Sequence, residues 1–199
     1  MDHVMIISAA AVSEAVEQLY RRINTELRAD VRRALERALE REGSERARDI
    51  LAVLLRNEEI SRADGVPLCQ DTGLAVAFVE LGARVAVEGG TLQAAIDEGV
   101  RRAAGGHPLR ASMVTDPLAR ENTGDNTPAV VHVEQVGGEE LTLHLMAKGG
   151  GAENMSRVHM LAPGQGREGI IEAVVETVRA AGANPCPPVI VGVGVGGTV

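Results

Sequence analysis

Residues 74–81 read LAVAFVEL, a short apolar run that opens just after Gly73 and reads as a strand. Everything upstream has another period. From Val12 the apolar residues Val16, Leu19, Ile23 and Leu27, then Val31, Leu35 and Leu39, recur in steps of three and four, which predicts helix over residues 12–62. Gly43 suits a helix C-terminus and Ser44 an N-cap, and Ile50, Leu51, Leu54 and Leu55 are the expected buried side of the following helix. Downstream, residues 91–104 read as a helix opened by Thr91, and residues 167–181 as another. Residues 128–136 and 140–147 alternate in the β manner around Gly137-Gly138, the signal of a hairpin. Pro187-Pro188 leads into an apolar run, 189–195, expected as a strand. Helices followed by mixed strands and helices predict an α+β (mixed α/β) fold. The expected organisation is one domain, with a helical region over 1–62 and a mixed α/β region over 63–199.

Composition restricts what such a fold can do. The chain has 199 residues, 45% of them hydrophobic, yet Tyr20 and Phe78 are its only aromatics. Aliphatic side chains must therefore fill the core. A net charge of −8 disfavours nucleic acid and anionic membranes as partners. No stretch approaches the ~20 apolar residues that span a bilayer. The apolar residues 4–12 follow Asp2 and His3 rather than a basic segment, so no secretory signal is expected and a cytoplasmic location is. Two cysteines in such a chain are expected to be free, metal-binding or catalytic rather than paired. Lys148 is the only lysine.

The chemistry concentrates in four loops. Pro67-Leu68-Cys69-Gln70-Asp71-Thr72-Gly73 sets a thiol beside an amide, a carboxylate and a hydroxyl where a helix meets a strand. It reads either as a cleft wall or as a buried cysteine followed by a turn. Asn122-Thr123-Gly124-Asp125-Asn126-Thr127-Pro128 is turn chemistry. Arg110 and Arg120 lie just upstream, and either guanidinium suits bidentate pairing with a carboxylate. Lys148-Gly149-Gly150-Gly151-Ala152-Glu153-Asn154 offers backbone N–H groups to an anion as a nest, or is simply a flexible turn. Its order is wrong for a phosphate-binding loop in which lysine follows the glycines. Asn184-Pro185-Cys186-Pro187-Pro188 holds a cysteine on a stiff loop.

Other signals are weaker. Gly192 to Gly197 matches G-x-G-x-x-G, but a dinucleotide fingerprint also needs a following helix and an acidic residue about twenty positions on, and the sequence at hand stops at Val199. His132 and His144 lie in strand-like runs and are expected to pack. His107 and His159 fall in loops. The two cysteines show no C-x-x-C pairing, which argues against zinc.

Taken together, VPLCQDTGLAVAFVELG, NTGDNTPAVVHVE, KGGGAENMSR and NPCPPVIVGVGVGGT resemble, in order, the N-terminal domain or α subunit of the class I (iron–sulfur) fumarate hydratase family and of the related tartrate dehydratases. The resemblance covers nearly the whole chain. It implies reversible hydration of fumarate to malate with a [4Fe–4S] cluster whose open iron acts as a Lewis acid. It implies Cys69 and Cys186 as cluster ligands and Gln70 and Asp71 as catalytic groups reaching the substrate. Arg110, Lys148, Gly150, Gly151, Asn126 and Thr127 become candidates for binding a small dicarboxylate.

The family's third cysteine falls in a later segment, absent from this chain. The expectation is therefore a chain truncated at its C-terminus. It would need a C-terminal domain or β subunit and would work in a homo- or hetero-oligomer. A tartrate or other hydroxy-diacid dehydratase, or a non-catalytic fragment needing a partner, stands as the alternative.

Overall fold

The computed structural model describes residues 4–196. The chain divides into two compact units, Met1–Lys148 and Gly149–Val199. The first runs β1 (Met5–Ser8), α1 (Ala9–Thr25), α2 (Ala29–Arg41), α3 (Glu45–Asp64), β2 (Leu74–Gly82), β3 (Val85–Glu88), α4 (Leu92–Gly106), β4 (Val130–Val136) and β5 (Leu141–Lys148). The second contains α5 (Gly150–Glu153), a 3-10 turn at Pro163–Gln165 and α6 (Gly166–Ala181). The fold is mixed α and β, as expected.

Local chemistry accounts for the helix starts. The Ser8 hydroxyl accepts from the Ala11 amide and caps α1, and the Thr91 hydroxyl accepts from Ala94 and caps α4, each satisfying an otherwise orphaned amide. Ser44 sits at the N-cap of α3 but makes no side-chain cap bond. α3 closes on Gly65 in the left-handed conformation, which costs glycine little.

α1 and α4 pack on each other and build the core. Val12, Val16 and Tyr20, four residues apart on one face of α1, meet Ala95, Ile96, Val100 and Ala103 of α4 and Ala75, Ala77 and Val79 of β2. The helices approach closely because residue 99 is glycine. A Cβ there would lie 2.5 Å from the Ser13 carbonyl oxygen and 2.6 Å from the Val16 Cβ. The Ser13 hydroxyl, buried at this crossing, donates to the Ala95 carbonyl at 2.8 Å. The small alanines of β2 let this helical layer seat tightly in a chain almost without aromatics.

The sheet corrects the hairpin expectation. β4 and β5 follow one another around Gly137-Gly138, but β2 lies between them, in the order β4-β2-β5. β2 runs parallel to β4 and antiparallel to β5. The connecting turn must therefore bridge a full strand. Gly82, at the end of β2, passes beneath it, and a Cβ there would stand 2.8 Å from the carbonyls of both Gly138 and Glu140. A separate parallel pair, β1 with β3, consists of strands of four residues each, too short for a period to announce them.

Other expectations are also revised. The helical run is three helices rather than two: the break at 42–44 falls at Gly43 and Ser44 as expected, and a further one interrupts the chain at 26–28. Ile50 faces solvent, 54% exposed. What α3 buries instead is Ser61 together with Glu58, 2% exposed and held by Arg32 of α2 at 2.9 Å and by Arg62 at 3.5 Å. His132 and His144 are exposed rather than packed inside; the His132 ring stacks on Phe78 with centroids 4.9 Å apart. Residues 189–195 form no strand. Of the G-x-G-x-x-G match, Gly197 lies outside the described residues, as do Asp2, His3 and the terminal Thr198-Val199.

Candidate functional site

Strand direction gathers two of the four chemical loops, together with Lys148. β2 and β4 are parallel, so the loops entering them, 67–73 and 122–129, arrive at the same end of the sheet. β5 is antiparallel and leaves at that end, where Lys148 pairs with Leu74. Inserting β2 between β4 and β5 thus places the cysteine loop centrally, with the Asn126 loop on one side and Lys148 on the other.

The cysteine loop is pinned at its entrance and poised at its tip. The Leu68 amide donates to the Asn24 carbonyl at 2.8 Å, and the Asn57 side chain donates to the Leu68 carbonyl at 2.9 Å, so the end of α1 and the body of α3 both hold it. Cys69 is exposed and free, so it is not the buried thiol that was the other reading of this loop. Its Sγ lies 3.4 Å from Gln70 Oε1 and receives the Asp71 amide at 3.5 Å.

Behind the tip lies a network in which Ser112 is central. Its hydroxyl donates to Asp71 Oδ1 at 3.1 Å and accepts from the Gly73 amide at 3.3 Å. The Ser112 amide donates to Asn126 Oδ1 at 2.6 Å, and the Met113 amide reaches the same oxygen at 3.3 Å. Asn126 Nδ2 donates to the Arg110 carbonyl at 2.9 Å, and the Arg110 amide donates to the Thr72 hydroxyl at 2.9 Å. Asn126 is fully buried, with φ at +60°, a conformation asparagine tolerates better than most residues. Its amide fastens the 110–113 segment, so the Arg110 backbone is fixed while the residue itself stays exposed. Arg120, the other candidate arginine, sits in an exposed turn with φ at +56°, its amide donating to the Asp116 carbonyl.

α4 braces the same loop. Asp97 Oδ1 accepts from the Ala129 amide at 2.8 Å, and Arg101 pairs with Asp125 at 3.0 Å. Asp125 in turn accepts from both the amide and the hydroxyl of Thr127. Burial pushes the Asp125 carboxyl up, but the Thr127 donors and Arg101 outweigh it and leave the pKa below its ordinary value.

From α1, Tyr20 reaches beneath all of this. It is fully buried, and its hydroxyl donates to the Gly73 carbonyl at 3.3 Å. Burial raises its pKa to about 12; the Asn126 side chain opposes this rise and the negative charge of Asp71 adds to it. Ser112 and Tyr20 were not marked by motif reading. The available hint was the single tyrosine of an aromatic-poor chain, in helical register with Val12 and Val16.

In the second unit the other two loops meet. Gly149–Gly151 form neither a flexible turn nor an alternating nest; they open the single helical turn α5, with Glu153 N–H on the Gly149 carbonyl. A Cβ on Gly151 would stand 3.2 Å from the Asn184 carbonyl oxygen, so the glycine loop lies against the start of the second cysteine loop. Cys186 there is exposed, with φ at +57°. That conformation is uncommon for cysteine, and such backbone strain clusters at functional sites.

Among the described residues no group of three or more His, Cys, Asp and Glu side chains is assembled to hold a metal ion. The available sulfur donors are Cys69 and Cys186, both free and exposed on irregular loops, one of them receiving a backbone N–H. Those properties fit two of the thiolates of an iron–sulfur cluster and leave the set short of a third.

Comparison with known proteins identifies the family. A family model described as "Fumarate hydratase (Fumerase)" matches residues 13–199. The chain is 39% identical over 193 residues to "Putative L(+)-tartrate dehydratase subunit alpha" of Methanocaldococcus jannaschii, covering 94% of this chain and 67% of that one. It is 34% identical over 136 residues to "L(+)-tartrate dehydratase subunit alpha" of Escherichia coli strain UTI89, covering 67% of this chain and 45% of the relative. It is also 34% identical over 164 residues to "Fumarate hydratase class I, aerobic" of Escherichia coli strain K12, covering 79% of this chain but 29% of the relative. The chain thus spans less than half the length of the two bacterial proteins. These names describe hydro-lyases, and with a family match that takes in nearly the entire sequence, the chain belongs to the fumarate hydratase family.

Proposed function

We propose that this chain supplies part of the active site of a hydro-lyase that interconverts fumarate and malate. Water leaves the hydroxy-diacid as a proton from one carbon and a hydroxyl from the next, and returns in the reverse direction. The observation that carries the reading is the meeting of the Cys69–Gly73 loop, the Asn126 loop and Lys148 at one end of the sheet.

Cys69 and Cys186 would hold two irons of a [4Fe–4S] cluster. When bound, its open iron supplies Lewis acidity toward the departing hydroxyl. The remaining work falls to the chain itself. Arg110, on a backbone fixed by Thr72 and Asn126, pairs with a substrate carboxylate in the fork geometry that guanidinium favours. Lys148 and the amides of Gly150 and Gly151 meet the other anionic end. Asp71 holds or passes a proton at its carboxylate, and Gln70 hydrogen-bonds a substrate oxygen. Ligation of Cys69 would remove the thiol proton now directed at Gln70 Oε1 and leave that oxygen available to another donor. Asn126 and Thr127 form the floor of the site.

The missing acid–base groups and third thiolate would come from a C-terminal domain or a β subunit; two of the relatives above are named alpha subunits. The enzyme would be cytoplasmic, where thiols stay reduced. No helix among the described residues is long and apolar enough to cross a membrane.

A second reading is favoured by a specific observation: the relative matched over 94% of this chain is named for tartrate. Turnover of malate, fumarate and L(+)-tartrate by the assembled, anaerobically loaded enzyme decides between them. Preference for malate and fumarate supports the first reading and preference for tartrate the second. A loaded enzyme inert toward all three contradicts both.

A further inference from the structure

We propose that Ser112 is the positioning residue that sets the Asp71 carboxylate for reaction, an inference resting on the hydro-lyase reading above. A serine hydroxyl has one proton to give. Two acceptors lie within reach, Asp71 Oδ1 at 3.1 Å and the Arg110 carbonyl at 3.4 Å. The Asp71 oxygen is the nearer, so it takes the proton. The hydroxyl's own lone pair then accepts the Gly73 amide at 3.3 Å, and that amide also reaches Asp71 Oδ1 at 3.2 Å. Ser112, Gly73 and Asp71 thus close a triangle that fixes one carboxylate oxygen.

The triangle is rigid because its base is. The Ser112 amide is held at 2.6 Å by Asn126 Oδ1, and Asn126 is fully buried. The Gly73 carbonyl is held from below by Tyr20. Ser112 also stands two residues from Arg110. One short segment therefore carries both the guanidinium that would grip a substrate carboxylate and the hydroxyl that orients Asp71, and so sets the spacing between the two. Alanine at 112 would leave the Gly73 amide on Asp71 but remove the serine contribution. Threonine would keep it.

The test compares Ser112→Ala and Ser112→Thr with the parent protein, after circular dichroism has shown all three folded. In the carbon-13-labelled full chain at fixed pH, the Asp71 side-chain carboxyl resonance, assigned with Asp71→Asn, should move in Ser112→Ala and return in Ser112→Thr. Exchange of the Gly73 amide should quicken about ten-fold in the alanine variant only. In the assembled enzyme kcat should fall roughly 10- to 100-fold in Ser112→Ala with KM nearly unchanged, and recover in Ser112→Thr. An unmoved carboxyl resonance in Ser112→Ala, or an equal loss in both variants, overturns the proposal. Failure of the hydro-lyase reading looks different: Asp71→Asn and Arg110→Ala would turn over like the parent while Ser112→Ala still moved the resonance, removing the catalytic meaning of the contact.

Discussion

Leu74 and Lys148 face each other across the β2–β5 ladder, the first residue of the strand that leaves the Cys69 loop against the last residue of the strand that leads into the glycine loop. Their pairing fixes the height at which the only lysine stands beside the cysteine loop. Two motifs more than seventy residues apart are thereby brought to one sheet end without touching in sequence.

That placement gives Lys148 a specific expected role. Replacing it with glutamine removes a charge but keeps most of the side-chain length and a polar end. We expect kcat/KM for the diacid to fall roughly 10- to 100-fold, the range of a lost hydrogen bond to a charged group, with little change in thermal midpoint. Steady-state kinetics of the loaded enzyme beside a melting curve checks both halves.

Tyr20 can be read directly, since the chain has one tyrosine and no tryptophan. Its phenol should ionise at about 12 in the native protein, against an ordinary value of 10.0. The native state then holds the phenolic proton more tightly than the unfolded chain. Stability from this group is complete below pH 10 and is lost as pH rises through about 12, amounting to roughly 2–3 kcal/mol. Ultraviolet titration of tyrosinate measures the pKa, and Tyr20→Phe should flatten the stability profile over that window.

Asn126 is expected to matter more for structure than its loop setting suggests. Asn126→Ala removes the acceptor for two amides and the donor to the Arg110 carbonyl, and forces alanine to a φ near +60°. A loss of about 2–5 kcal/mol follows from unsatisfied buried groups plus backbone strain. Denaturant unfolding should show it. Asn126→Gly, which relieves only the strain, should recover a minor part.

Much of this was legible in the sequence, for reasons that can be named. Helices α1, α4 and α6 carried their period and, at Thr91, their cap. β2 announced itself by its apolar run. The sheet order was not legible, because Gly137-Gly138 signals a reversal of chain direction and not whether the reversal closes on a neighbour or spans a strand. The 189–195 run is apolar enough for a strand, but apolarity supplies no partner. Of the site, the motif residues Cys69, Asp71, Asn126 and Lys148 stood out by type. Ser112 did not, because its role arises from two contacts with residues about forty positions away, which no local pattern encodes. Tyr20 likewise works through Gly73, fifty-three residues distant.

The central claim is that Cys69 and Cys186 ligate an iron–sulfur cluster. It is tested most directly by anaerobic reconstitution with iron and sulfide, read by visible absorption, EPR and iron content. The protein is the chain extended through the family's third cysteine, compared with its Cys69→Ser and Cys186→Ser variants. The account predicts a [4Fe–4S] signature in the parent that is lost or sharply reduced in each variant. Full cluster content in both serine variants, or none in the parent, would contradict it.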